Sequence, residues 1–144
     1  MDLLHEILEA TAAVRPDAPA IADRLTRLAY ADLAAATVSV AHGLLALGLR
    51  RGDRVAVWLP KQVEKVSALF GIMRAGGIAV PANALLKAPQ VAHILRDSGA
   101  RVLVTTTARC ADLQHEATEF ESLRAIVTVD GATEAAPKSC VAVT

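Results

Sequence analysis

Four short aliphatic runs, separated by helix-length stretches and bounded by turn residues, limit this chain more than any other feature. The runs are Arg54-Val55-Ala56-Val57-Trp58-Leu59, Ile78-Ala79-Val80-Pro81, Arg101-Val102-Leu103-Val104-Thr105 and Leu123 to Val129. Near-continuous hydrophobicity over so few residues marks strands buried on both faces. Between them, Gln62 to Ala75 carries Val63, Val66, Leu69, Phe70 and Met73 on one side of a predicted helix. Pro89 opens a second helix with Val91, Ile94 and Leu95 inward, and Thr107 to Glu119 forms a weaker third. Gly76-Gly77 and Ser98-Gly99 end the first two, because glycine accepts the backbone conformation that closes a helix. Strands alternating with helices of about 10–15 residues predict right-handed βαβ units. The expected fold class is α/β, with βαβ units forming a mainly parallel sheet covered by helices.

Upstream, Leu3, Leu4, Ile7 and Leu8 share a helical face with Val14, and Pro16 and Pro19 end that helix. Ala20-Ile21-Ala22 and Leu28-Ala29-Tyr30 read as a small hairpin. Asp32 is expected to cap or start a long helix whose buried face is Leu33, Ala36, Val40, Leu44 and Leu47, with Gly48 at its end. Arg51-Gly52-Asp53 is a polar turn. Residues 1–130 are therefore expected to form one α/β subdomain. Residues 131–144 fit no element and are expected to be an irregular tail or the cut start of a further segment.

Hydrophobic residues make up 53% of the 144, yet aromatics only 3%. The core must come from Ala, Val, Leu and Ile. So much apolar content implies surface meant for a partner, either the remainder of a longer chain or a second copy. The formal net charge is zero with no basic block, which argues against nucleic acid as a partner. Two cysteines, Cys110 and Cys140, are too few for a disulfide framework and fit a reducing compartment. No leader is evident in Met1 to Ala13, and Arg74 interrupts the longest apolar candidate, Val66 to Val80. No membrane span and a cytoplasmic location are expected.

Four segments carry a family resemblance. Leu28-Ala29-Tyr30-Ala31-Asp32-Leu33 looks like a Leu-Thr-Tyr-x-Glu-Leu motif. Arg51-Gly52-Asp53-Arg54-Val55-Ala56-Val57 with Leu59-Pro60 resembles Gly-Asp-Arg-Val-Ala-x-x-x-Pro. Ala75-Gly76-Gly77-Ile78-Ala79-Val80-Pro81-Ala82-Asn83 resembles Ala-Gly-x-x-x-Val-Pro-x-Asn. Asp97-Ser98-Gly99-Ala100-Arg101-Val102-Leu103-Val104 resembles Asp-Ser-x-Ala-x-Val-Leu-Val. In this order and spacing they resemble the N-terminal part of the adenylate-forming superfamily, which includes AMP-forming acyl-CoA synthetases, luciferases and peptide-synthetase adenylation domains. Ala29 and Ala84 depart from the usual Thr or Ser and Pro. Leu85-Leu86-Lys87 with Gln90 to Leu95 is similar to ligases associated with bacterial exosortase systems.

The resemblance implies an AMP-dependent acyl-CoA ligase that adenylates a carboxylic acid with ATP and Mg²⁺ and passes the acyl group to CoA. It also implies that the phosphate loop, the Mg²⁺ carboxylate, the ribose-binding acid and the mobile lysine lie downstream of this sequence. No catalytic, cofactor-binding or metal-ligating residue is therefore expected here, the chain alone is expected to be inactive, and no cofactor is expected to bind it tightly. Tyr30, the only tyrosine, Gly76-Gly77 and Pro81 read as fold devices.

Local matches to other chemistry fail on residue type. Gly131-Ala132-Thr133-Glu134-Ala135-Ala136-Pro137-Lys138-Ser139 echoes a phosphate loop but lacks its glycines and carries Glu134. Gly71 to Gly77 has P-loop glycine spacing without the lysine. His5, His42, His93 and His115 are scattered, without carboxylates or cysteines at metal-ligand spacing. His93 reads as a boundary residue on its helix. Cys110 beside Arg109 lacks a readable His–Asp partner. Lys61 and Lys65 read as solvent-facing, and Arg51-Gly52-Asp53 as a turn rather than an adhesion signal. Asn83, just past a strand's carboxyl end, is the best polar loop candidate, with turn geometry the plainer role. Two alternatives stay open, a non-enzymatic α/β interaction module and a free-standing nucleotide-binding domain. The second needs a phosphate turn after the first sheet strand, where Pro60-Lys61-Gln62 is a poor one.

Overall fold

All of the aliphatic runs but the second are shorter as strands than as sequence patterns. The computed structural model describes residues 3–116, 120–132 and 141–143. In it the runs become β3 (Arg54–Val57), β4 (Ile78–Pro81), β5 (Val102–Thr105) and β6 (Ala125–Thr128). The chain divides into two compact units, Met1–Arg51 with Lys61–Gly77 and Gly52–Pro60 with Ile78–Thr144.

The first unit holds α1 (Leu4–Val14), β1 (Pro19–Ala22), β2 (Arg27–Ala29), α2 (Tyr30–Ala46) and α3 (Val63–Arg74). β1 and β2 pair antiparallel as the expected hairpin, with an irregularity between Pro19 and Ile21. Asp32 does not occupy the cap of α2. Ala29 does, and the Asp32 carboxylate at the third helical position accepts the Ala29 amide at 3.1 Å. A carboxylate there reaches back to an amide that would otherwise be orphaned. Arg74 on α3 pairs with Glu9 on α1.

The faces of α2 and α3 differ from expectation. α2 buries Leu33, Thr37, Ala41 and Leu44, while Ala36, Val40 and Leu47 are only partly covered. α3 buries Val63, Ser67, Ala68, Gly71 and Ile72, and Val66, Leu69, Phe70 and Met73 lie at its flanks. The cause is a close helix crossing. A Cβ on Gly71 would stand 2.5 Å from Val40 Cγ1 and 3.1 Å from the Thr37 carbonyl. Helices that approach this closely need small residues at the crossing, so the larger side chains move outward.

The second unit is a parallel sheet of order β4-β3-β5-β6-β7, where β7 is Val141–Val143. β7 extends the sheet from within the stretch for which the sequence suggests no element, while residues 133–140 lie outside the described ones. α4 (Ala88–Ser98) follows β4 and α5 (Thr107–Gln114) follows β5. Gly99 closes α4 in the left-handed conformation at φ 64°. Ala56, Leu103 and Ile126 form a core with Val91 and Leu95 of α4, Cys110 and Leu113 of α5, and Leu123. Central β5 is buried at all four positions. β4 is an edge strand, and Ile78 is 48% exposed.

Candidate functional site

The carboxyl ends of β3, β4 and β5 lie side by side, the place where open α/β sheets hold ligands. Trp58 is the first residue past β3. Its amide donates to the Val104 carbonyl and its carbonyl accepts the Thr105 hydroxyl, both at 2.9 Å. These bonds fix the backbone of a residue that is only 2% exposed.

Past β4, Ala82 donates to the Val57 carbonyl at 2.9 Å, and the chain then leaves the sheet. Asn83 builds the turn. Its Oδ1 accepts the Leu85 amide at 2.9 Å and its carbonyl accepts the Leu86 amide at 3.1 Å. The Gln90 side chain accepts the Lys87 amide at 2.9 Å and so starts α4.

α5 presents the third component. Thr106 caps it by accepting the Arg109 amide at 3.4 Å. Asp130, just past β6, accepts the Thr107 amide at 2.8 Å and its hydroxyl at 3.1 Å. Arg109, in the first turn, lays its guanidinium 4.7 Å from the centre of the Trp58 ring and donates from Nη2 to the Ala84 carbonyl at 2.9 Å. A cation over an indole face contributes about 0.5–2 kcal/mol, more as water is excluded. Burial draws the Arg109 pKa below its ordinary value, and nearby Asp112 acts the other way.

These elements enclose a recess of about 490 Å³ lined by Trp58, residues 84–89, Arg109, Asp112 and His115. Among the described residues, neither Trp58 Nε1 nor Arg109 Nη1 has a hydrogen-bond partner, and both atoms are buried. The arrangement offers donors and apolar wall. Asp112 and His115 are exposed at the rim.

The residues weighed from the sequence fall elsewhere or into other work. Asn83 is exposed and shapes its turn. Cys110 is fully buried in the core, and Cys140 lies outside the described residues. His5 sits 3.9 Å from Glu9, while His42 and His93 are exposed. No group of three metal-ligating side chains occurs among the described residues. Lys61 is exposed and Lys65 half-buried. Gly52 turns at φ 85°. Residues 133–139 of the phosphate-loop echo lie outside the described residues. At the start of α3, Asp23 Oδ2 accepts the Val63 amide at 3.2 Å. A carboxylate thus stands where a nucleotide-binding turn would receive a phosphate.

Sequence reading did not single out Trp58 and Arg109. The available signal was a lone tryptophan at the end of a strand in a chain almost without aromatics.

Comparison with known proteins agrees with the parallel sheet. The family model described as AMP-binding enzyme matches residues 8–142. The long-chain-fatty-acid–CoA ligase FadD13 of Mycobacterium tuberculosis is 39% identical over 100 residues, which cover 68% of this chain and 20% of that protein. Syringomycin synthase SyrB1 of Pseudomonas syringae is 37% identical over 101 residues, 70% of this chain and 16% of that protein. This chain therefore spans about a fifth or less of the length of these relatives. The crystal structure of the N-terminal domain of FACL13 from Mycobacterium tuberculosis superposes with a TM-score of 0.82 at 30% identity, covering 90% of this chain and 34% of that one.

Proposed function

The chain belongs to the AMP-binding enzyme family, and on that premise we propose that it is the N-terminal scaffold portion of an AMP-dependent acyl-CoA ligase. In such an enzyme a carboxylate displaces pyrophosphate from ATP, and the CoA thiol then takes the acyl group and releases AMP. The observation that carries the reading is the family match across residues 8–142, which spans both units. Similarity to a fatty-acyl-CoA ligase favours the thioester-forming branch. On this reading Mg²⁺ and ATP are held by a Gly/Ser/Thr-rich loop and carboxylates on further polypeptide, and the aliphatic sheet described above supports one wall of the complete enzyme. The partner of this segment is then the rest of the ligase, and the substrate a carboxylic acid.

Two measurements test this. The reading frame downstream of these codons should encode a Gly/Ser/Thr-rich loop ending in Pro-Lys-Gly; a frame that stops without one favours a stand-alone interaction module. The isolated chain should catalyse no ATP–pyrophosphate exchange with fatty or aryl acids. Clear exchange above a blank preparation would mean that the chain holds its own phosphate loop and that the scaffold assignment is wrong.

A further inference from the structure

A surface helix ordinarily turns its polar residues to water, and α1 does the opposite. Every exposed residue from position 3 to position 14 is apolar: Leu3, Leu4, Ile7, Ala10, Ala13 and Val14. Leu8 is the one buried residue of the helix. The polar side chains are partly covered and serve their own unit. Glu9 pairs with Arg74 and stands 3.9 Å from His5. Glu6 accepts the Leu3 amide at 3.2 Å, and the Thr11 hydroxyl donates to the Ile7 carbonyl at 2.8 Å. A contiguous apolar face left open in this way marks a contact surface.

The spacing along that face selects what covers it. Leu3, Ile7, Ala10 and Val14 follow one another at intervals of four, three and four, the pattern that a facing helix requires. Ile7, Ala10 and Val14 fall within about 60° of one another around the helix axis, with Leu4 and Ala13 to either side. The side-chain sizes fit a copy of the same helix running the other way. Antiparallel pairing centred between Ile7 and Ala10 sets Ile7 against the partner's Ala10 and Leu3 against the partner's Val14, so each layer joins a larger residue to a smaller one. Parallel pairing would set Ala10 against the partner's Ala10 and leave a void there. Charge permits the antiparallel pair as well. Of the positions flanking the stripe, Leu4, Glu6, Thr11 and Ala13, only Glu6 is charged, and it falls beside the partner's Ala13 instead of a second carboxylate. A lipid surface fits less well, because α1 has no Lys or Arg from position 3 to position 14, whereas helices that lie on membranes carry cations along their polar face.

We propose that α1 is a self-association surface, on which two copies of this chain pack their α1 helices antiparallel along Leu3, Ile7, Ala10 and Val14. The helix has 11 residues, so the seam is short, and association through it is reversible and concentration-dependent, as for small interfaces generally. The proposal rests on the exposed face of α1 alone and stands whether or not the ligase reading does.

Sedimentation equilibrium of the 144-residue chain should fit a monomer–dimer equilibrium. Ile7→Glu, at an exposed position, should raise the dissociation constant about tenfold or more, while Leu25→Glu, at the exposed hairpin tip, should leave it unchanged. Helix direction is read by disulfide trapping in a Cys140→Ser background, in which the remaining native thiol, Cys110, is fully buried. Chains carrying Ile7→Cys and chains carrying Ala10→Cys, when mixed, should join to each other in preference to their own kind. Circular dichroism checks the fold of each variant, and the trapping experiment decides even if the glutamate variant does not fold. A monomer at every concentration overturns the proposal, as does a dimer indifferent to Ile7→Glu or trapping mainly between like cysteines. A chain that stays monomeric but floats with phosphatidylglycerol vesicles, and loses flotation with Ile7→Glu, would assign the stripe to a lipid surface and equally overturn it.

Discussion

Asp23 does more for its unit than its place in a short hairpin suggests. Its carboxylate accepts amides from Leu25 at 2.9 Å, Thr26 at 2.8 Å and Val63 at 3.2 Å. The first two close the hairpin turn. The third caps α3, whose own cap residue, Gln62, makes no side-chain capping bond. These amide donors, Leu25 foremost, hold the Asp23 carboxyl below the ordinary aspartate range. A carboxyl with a depressed folded-state pKa gives its full stabilisation above the unfolded value of about 3.9, and that contribution is lost as pH falls through the lowered value. Asp23→Asn, which keeps an acceptor but no charge, should therefore lower Tm at neutral pH. The gap from the unmodified chain should close as the pH is taken from about 6 to about 2. Circular dichroism melts across that range decide the matter; a gap that stays constant would mean that the charge of Asp23 contributes nothing.

At the scale of elements, the crossing of α2 and α3 is the most demanding contact. Gly71 has room for no side chain, since an added Cβ would meet Val40 at 2.5 Å. Gly71→Ala should cost about 1–3 kcal/mol by forcing the crossing apart, although alanine is the better helix former. Urea denaturation would measure it. Val40→Ala in the same chain should recover part of the loss, because it removes the atoms that collide, and two losses that simply add would show that the crossing is not the cause. In the second unit, α5 is anchored at its start by Asp130 as well as by its own Thr106. That double capping keeps Arg109 over Trp58 although the helix is only eight residues long.

Across the whole molecule, the apolar excess visible in composition shows up as exposed side chains. Leu3, Leu4, Ile7 and Val14 on and beside α1 are 50–80% exposed, and Leu25 at the hairpin tip is 96% exposed. Among the described residues no helix is long and apolar enough to cross a membrane. Exposed aliphatic surface of this kind favours association. Sedimentation velocity on the isolated chain should show a sedimentation coefficient that rises with protein concentration. A single monomeric species up to the solubility limit would argue that these residues need no cover.

The order of strands and helices as far as β6 was legible in the sequence, because each buried parallel strand must be an unbroken aliphatic run and each helix must end where glycine permits, whereas β7 was not. Gly48, Gly76 and Gly99 all take the positive φ that those endings require. The four motifs around Tyr30, Gly52, Pro81 and Gly99 likewise pointed to the family that the comparison found. What the one-dimensional pattern could not carry was approach distance and convergence. Periodicity identifies an apolar helix face, but only the α2–α3 crossing decides that Gly71 and Thr37 occupy its centre while Leu69 and Phe70 stand aside. Trp58, residues 84–89 and Arg109 lie on separate segments, and the parallel register of β3, β4 and β5 alone brings them to one recess. Local chemistry along a chain sets its elements. Trp58 and Arg109, 51 positions apart, meet only once the sheet has aligned its strand ends.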